Sequence, residues 1–366
     1  MLPSFSSKML ASYVDHICEE SEWLTDALAK HAGKGPFQAE NYISVYNFRN
    51  IIKTSGLSEL STELKSFKIF EDYYRCFELV YDRWTRLWVH PDIFYKLTNN
   101  YREMKKIVSS FTSYADRAQE IRRMHLANTD FMQKSRAYTD GQIKPGLFDS
   151  LIDKLNAKEV TEEMIVLVGA TEEPSIAIGL ILLLLGQYPS IQEKVYNEIR
   201  DIFEESDRLL SKEDIMKMQY LDLVIKETMR VYPPVPFIAR KVDQDIELPS
   251  GRTIPAGAGL VIPVFTLHRH PAYWGPDAEH FDPERFLPER LAAVPDNAYI
   301  PFSYGPRGCP GYKFGFYMVK VAVCAILRKY KIVGKPAPGP VPDLSIKFEV
   351  SLRTVNRVKI EIVNRM

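Results

Sequence analysis

The chain has 366 residues, 46% of them apolar, enough for a sizeable core and too apolar for a disordered segment. Lys plus Arg and Asp plus Glu stand at 47 each, so no net field draws nucleic acid or an anionic surface. The cysteines, Cys18, Cys76, Cys309 and Cys324, lie far apart with no CxxC pair, which argues against a zinc site or a disulfide framework and fits a reducing compartment.

No charged start followed by an apolar run occurs near Met1, so neither a signal peptide nor an N-terminal anchor is expected in this chain. From Leu2 to about Asp130 the pattern is helical, broken at Gly33-Lys34-Gly35-Pro36. The 20 Tyr and 19 Phe favour an apolar interior with aromatic pockets. Ser135 to Asn156, with Gly141, Pro145 and Gly146, reads as a loop between helices. Thr161-Glu162-Glu163 offers a helix start with acids in its first turn. Val166 to Gln187 follows as a helix apolar almost all round, hence buried on every side. Its longest apolar run, Ile176 to Gly186, is too short to cross a bilayer.

Inside that helix, Gly169-Ala170-Thr171-Glu172-Glu173-Pro174-Ser175 breaks the pattern. A proline in a helix interior costs ~3 kcal/mol, and an unpaired buried carboxylate costs more, so something local must compensate. Either Glu172 and Glu173 are solvated or salt-bridged at a kink, or they are held there for chemistry.

Pro189 to about Glu204 is a surface amphipathic helix, and Asp214-Ile215-Met216 leads into a further helix from Tyr220 to Arg230 that Pro233 and Pro234 stop. Glu227 and Arg230 share one face of it. Pro233 to Pro263 alternates β-branched residues with turn signals, a small β region with hairpins rather than a second domain. His268 and His270 are spaced for a metal pair, but Pro271 and the lack of a third ligand argue against one. After Tyr330, the turn-rich Pro336-Ala337-Pro338-Gly339-Pro340 leads into alternating segments from Ile346 to Ile362, read as a terminal hairpin.

The most informative stretch is Phe302-Ser303-Tyr304-Gly305-Pro306-Arg307-Gly308-Cys309-Pro310-Gly311. Its three glycines and two prolines forbid a regular element, yet a helical pattern (Phe314, Met318, Val321, Ala322, Ala325) begins just after it. A rigid loop thus delivers one thiol to a helix N-terminus, where backbone N–H groups favour a thiolate. Arg307 adds a permanent cation shaped for a carboxylate. A haem needs both, a thiolate for iron and a cation for a propionate. Phe302, Gly305, Arg307, Cys309 and Gly311 match every fixed position of Phe-x-x-Gly-x-Arg-x-Cys-x-Gly, and the chain here resembles the cytochrome P450 family.

The resemblance implies a mainly α fold with a small β-rich region, one P450 domain over residues 1–366. Trp88-Val89-His90-Pro91-Asp92 and Gln192-Glu193-Lys194-Val195-Tyr196 are similar to the animal microsomal branch that includes fatty-acid hydroxylases. Leu2 to Leu10 looks like the end of the family's helix C, so the family's anchor, first helices, first strands and helix C propionate contact are expected to be missing from this chain. The resemblance also implies haem b with Cys309 as axial metal ligand, and Phe302, Gly305, Arg307, Gly311 and Arg240 among the cofactor-binding residues. Phe237 and Ile238 fall at substrate-contacting positions. Glu227, Arg230 and Arg285, the last within Phe281-Asp282-Pro283-Glu284-Arg285-Phe286, correspond to a structural network behind the cysteine loop. Such a network must keep all its members, because stranding one buried charge costs ~3–5 kcal/mol.

Residues 169–175 align with the family's distal kink, with Ala170 at a small position and Glu172 as its acid; Ala170, Glu172 and Glu173 are the catalytic candidates. Glu173 and Pro174 replace both family threonines, so proton delivery would need a carboxyl in place of a hydroxyl. Gly169 occupies the place where some relatives of that branch carry a Glu esterified to haem, so no covalent haem link is expected. The implied activity is monooxygenation of a small apolar substrate (fatty acid, terpenoid or xenobiotic) with O2. Electrons would come from NADPH-cytochrome P450 reductase, with cytochrome b5 as a further donor, at the endoplasmic reticulum (microsomal) membrane. Two alternatives stay open: a haem-thiolate isomerase that rearranges peroxides without external electrons, and an inactive truncated haem-binding protein.

Overall fold

A computed structural model describes residues 7–55, 68–127, 154–204 and 206–365. The long helices are α1 (Ser7–Ala29), α2 (Glu40–Thr54), α3 (Lys68–Thr85), α4 (Asn99–Ala127), α5 (Ala157–Gly169), α6 (Glu172–Gln187), α7 (Pro189–Phe203), α8 (Gln219–Val231) and α9 (Tyr312–Lys329). The strands are short: β1 (Phe37–Gln38), β2 (Ile238–Lys241), β3 (Ile246–Glu247), β4 (Thr253–Ile254), β5 (Gly259–Ile262), β6 (Tyr330–Val333), β7 (Ile346–Phe348), β8 (Leu352–Thr354) and β9 (Lys359–Asn364). The fold is therefore mainly helical with a minor β component, as expected.

The buried core runs from Tyr13 on α1 to Ile362 on β9, and α6 lies at its centre. Ile178, Ile181, Leu182, Leu184 and Leu185 of α6 are fully excluded from solvent, and the helix packs against α2, α7, α8, α9, β6 and β9. Burial on every side explains why its sequence has no polar stripe. Glycines admit the sheet: a Cβ on Gly179 would stand 2.6 Å from a Val358 methyl, and one on Gly334 would meet the Gly186 backbone at 2.8 Å.

The apolar stretch before Gln187 is two helices, not one. α5 begins a turn earlier than Thr161 suggested, because Asn156 caps it: Asn156 accepts from the Glu159 N–H and Glu159 accepts from the Asn156 N–H. Thr161 instead faces α4, accepting from Gln119 at 2.7 Å. The chain breaks at Ala170 and Thr171, and α6 restarts at Glu172. Pro174 thus falls in a first helical turn, where N–H groups have no intrahelical acceptor, and the two glutamates sit at the positive end of the helix dipole. The restart is the compensation that the sequence demanded.

One further expectation changes, and two gain detail. Of the stretch read as the end of a helix, residues 2–6 lie outside the described residues, and Lys8 to Leu10 lie in the 23-residue α1. The segment from Ile346 to Ile362 is not one hairpin: β7 pairs with β8, while β9 leaves to join β6 and β1 in a sheet of order β1-β9-β6. His268 is a fastener for the loop before Cys309, since its Nε2 accepts the Ile300 N–H at 2.9 Å and its Nδ1 lies 3.3 Å from the Met229 carbonyl. Burial drives its pKa down to about 3, so the ring is neutral. Among the described residues no cluster suited to a metal ion includes it. Of the expected loop from Ser135 to Asn156, residues 135–153 lie outside the described residues.

The β region between Pro233 and Pro263 forms as expected, with β2 against β5 and β3 against β4, all antiparallel. Behind the cysteine loop, Glu227 and Arg230 are wholly buried and doubly bonded, at 2.6 and 2.8 Å. Arg230 also donates to the carbonyls of His268 (2.8 Å), Ala278 (2.6 Å) and His280 (3.0 Å). Arg285 stands 3.8 Å from Glu227 and bonds chiefly to Asp277, at 2.9 Å, so it is a looser third member than the motif implied.

Candidate haem site

A loop and a helix break build the two sides of one cavity. The loop is closed by the Cys309 N–H donating to the Phe302 carbonyl at 2.9 Å and the Gly308 N–H donating to the Gly305 carbonyl at 2.9 Å. Gly305 has φ +75°, a left-handed turn that suits glycine, and Ser303 also takes a positive φ, 64°. Gly308 leaves little room for a side chain, since a Cβ would lie 3.1 Å from the Gly305 carbonyl oxygen, closer than side chains ordinarily approach. Gly311 then caps α9. The outcome is one thiol, exposed toward a cavity, at the end of a loop whose turns are fixed by its own backbone.

That cavity, about 410 Å³, lies within the range of cofactor and ligand sites. Cys309, Arg307, Phe302, Ser303 and Gly311 line it from the loop, and Phe314 and Met318 from α9. Leu167, Ala170, Glu173, Pro174 and Ala177 line it from the α5–α6 break. Val235, Ile238, Arg240 and Val264 complete it from the β region. The loop and the break also meet at Gly315, where a Cβ would stand 3.8 Å from the Pro174 ring. Cys18 and Cys324, by contrast, are buried in the core, with burial pushing the Cys18 thiol up to about 12.

The candidates named from the sequence divide. Cys309, Arg307, Arg240, Phe302, Gly311, Ala170 and Glu173 border the cavity together, and Gly305 shapes the loop without lining it. Glu172 does not line it. Its carboxylate is buried in an ion pair with Arg353 of β8. Burial still raises the Glu172 pKa, with Arg353 opposing. Phe237 lies outside the lining, tilted against Trp84 with ring centres 5.0 Å apart. Sequence reasoning did not single out Ser303, whose Oγ accepts from Arg240 Nη2 at 3.0 Å and ties strand β2 to the cysteine loop. A serine in a Gly-rich loop carries no signal of its own, because its partner lies 63 positions away.

The electrostatics follow from the apolar walls. Burial pushes the Glu173 carboxyl up to about 7, and the Glu172 charge adds to that shift. Burial also raises the Cys309 thiol, the Gly311 N–H opposes the rise, and the Glu173 charge adds to it. In the chain alone burial outweighs the helix N-terminus that the sequence pointed to, and a bound iron would supply the offsetting charge. The residues present fit a haem: an apolar cavity, one thiol open to it, and guanidinium groups from Arg240 and Arg307 on its wall for two carboxylates.

A helical fold with a cysteine loop facing a helix break across an apolar cavity defines a haem-thiolate protein. The cytochrome P450 family model matches residues 1–357. Cytochrome P450 4c21 of Blattella germanica is 32% identical over 338 residues, covering 90% of this chain and 67% of the relative. Cytochrome P450 4V2 of Homo sapiens is 30% identical over 380 residues, covering 100% of this chain and 71% of the relative. Cytochrome P450 4c3 of Drosophila melanogaster is 30% identical over 385 residues, with 100% and 70% covered. The chain belongs to the cytochrome P450 family, whose members are haem-thiolate monooxygenases that use O2, a redox partner and an apolar substrate.

Proposed function

We propose that the chain inserts one oxygen atom from O2 into a small apolar substrate, a fatty acid, terpenoid or xenobiotic, with electrons from NADPH-cytochrome P450 reductase and cytochrome b5 as a further donor. The observation that carries this reading is the shared cavity that Cys309 borders from the loop and Ala170 and Glu173 border from the helix break. Haem b, bound there, would supply the oxygen-activating chemistry, with thiolate electron density favouring O–O cleavage.

The chain's own residues supply the rest. Cys309 Sγ is the ligand, and the Gly305 and Gly308 turns fix where it points. Arg240 and Arg307 are suited to the propionates, with Ser303 holding Arg240 in place. Ala170 keeps one wall small, and Leu167, Ile238 and Val264 provide an apolar surface for substrate and exclude water. Glu173, with its carboxyl titrating near neutral pH, can hold or release a proton at Oε inside the cavity. Glu172 supports it from behind through its charge and its bond to Arg353 rather than acting in the cavity.

Membrane association at the endoplasmic reticulum is part of the proposal. Between α3 and α4, Leu87, Trp88, Ile93, Phe94 and Leu97 are all more than half exposed, and Arg83 and Arg86 lie beside them. An apolar surface with Trp and Arg suits a lipid interface. The apolar pair α5–α6 spans 31 residues but forms the core of the fold.

The lining favours a second reading as well. Among the described residues no threonine borders the cavity, and Glu173 with Pro174 stands where a hydroxyl was expected. Haem-loaded protein, incubated with candidate substrates and labelled dioxygen, separates the two. Label in product only with NADPH and the reductase supports monooxygenation. Rearrangement of a lipid peroxide without NADPH supports an isomerase.

A further inference from the structure

Five buried side-chain atoms without a hydrogen-bond partner gather at one place. They are Glu40 Oε2, Glu172 Oε2, Glu349 Oε2, Ser351 Oγ and Arg353 Nε, contributed by the start of α2, the start of α6 and the β7–β8 hairpin. None of these residues is more than 9% exposed. Buried polar atoms are seldom left without a partner, and a site lined by several of them is one that water occupies. Glu349 is paired through Oε1 with Lys347 at 2.6 Å, and the remaining charges close on one another only in part. Arg353 bonds Glu172, while its Nε lies 3.6 Å from Glu349 Oε2, and Glu40 Oε2 is 4.0 Å from Arg357.

The junction has two ends. At one, Glu349 also lines a polar cavity of about 280 Å³ beneath α3 and α4, with Arg75, Glu78, Asp82 and Asn100. At the other, Glu172 adjoins Glu173, which borders the candidate haem cavity. Tyr73 flanks this end: its hydroxyl covers Gly169, and burial together with the Glu173 and Glu172 charges raises its pKa, so the phenol stays neutral.

We propose that ordered water fills the junction and joins the polar cavity under α3 to the Glu173 carboxyl, making a proton-exchange route that enters past Glu349 and the C-terminal hairpin. The route rests on the monooxygenase reading for its use, but its existence does not. Water hydrogen-bonded to Glu172 Oε2, Ser351 Oγ and Glu349 Oε2 would satisfy the orphaned atoms and carry protons between carboxyl groups, with Arg353 holding the frame open as a fixed cation.

The test uses haem-loaded protein without substrate. The infrared carbonyl band of the buried carboxyl, assigned by its loss in Glu173→Gln, is followed after transfer from H2O to D2O. Glu349→Leu, which plugs the outer end with an apolar side chain, should slow exchange of that band by about tenfold or more, whereas Glu349→Gln should leave it near the parent rate. Equal rates in the parent and in Glu349→Leu overturn the proposal, and so does a crystal structure in which the junction is dry. Should turnover fail while Glu349→Leu still slows exchange, the monooxygenase reading falls and the route stands. Normal turnover with unchanged exchange removes the route and leaves the monooxygenase reading intact.

Discussion

Replacing Arg230 by leucine is the sharpest test of how the cysteine loop is held. The guanidinium is fully buried, bonds Glu227 twice and donates to three carbonyl groups of the segment from His268 to His280. Leucine strands the Glu227 carboxylate, which costs ~3–5 kcal/mol, and leaves three carbonyls unpartnered at ~1–3 kcal/mol each before relaxation. Part of that is recovered, because burial already raises the Glu227 pKa and the carboxyl can take up a proton. A net loss of ~5 kcal/mol or more would consume much of the ~5–15 kcal/mol that holds a typical domain. The control is Arg285→Leu, whose 3.8 Å contact with Glu227 predicts a loss smaller by at least ~2 kcal/mol. Urea unfolding of haem-loaded protein, followed by haem absorbance and by helical circular dichroism, gives both values. If Arg230→Leu is within ~1 kcal/mol of the parent, or no worse than Arg285→Leu, the network is not what fixes the loop.

Other substitutions probe the helix break and the cavity. Gly169→Ala drives a Cβ into the Tyr73 hydroxyl, so it should destabilise by ~1–3 kcal/mol; adding Tyr73→Phe should recover most of the loss in a double-mutant cycle. Gly334→Ala meets the Gly186 backbone, which cannot swing aside, and thermal unfolding should show it to be the more damaging of the two glycine changes. The raised Glu173 pKa makes the folded chain bind a proton that the unfolded chain has released, so this group's contribution is fully present below its ordinary value of 4.5 and is lost as pH rises through about 7. Glu173→Gln should therefore gain on the parent by up to about 3 kcal/mol across that range, and parallel pH profiles of denaturation midpoints would refute it.

What the sequence reveals and what it withholds follows from distance along the chain. The Cys309 loop is legible because its chemistry is local: glycines at turns, a cation two residues away and a helix immediately after. Glu227 and Arg230 are legible for the same reason, as neighbours on one helical face. The α5–α6 break is half legible, since Pro174 and two adjacent acids announce an irregularity. They cannot show that a restart at Glu172 places them in a favourable first turn. From sequence Glu172 reads as a cavity residue, because Arg353, which turns it away, lies 181 positions later. Asn156 escapes notice as a cap because Thr161-Glu162-Glu163 offers an equally good local signal. Strand β9 reads as half of a hairpin because only tertiary packing against α6 explains why it joins β6 and β1 instead.

Oxygen activation by this chain depends above all on the bond between Cys309 sulfur and haem iron, and the carbon monoxide difference spectrum of reduced, haem-loaded protein reads that bond directly. The parent should show the long-wavelength Soret band of a thiolate ligand, and Cys309→Ser should bind haem without it. A parent spectrum lacking the band, or a Cys309→Ser spectrum that retains it, would contradict the assignment of this thiol as the ligand.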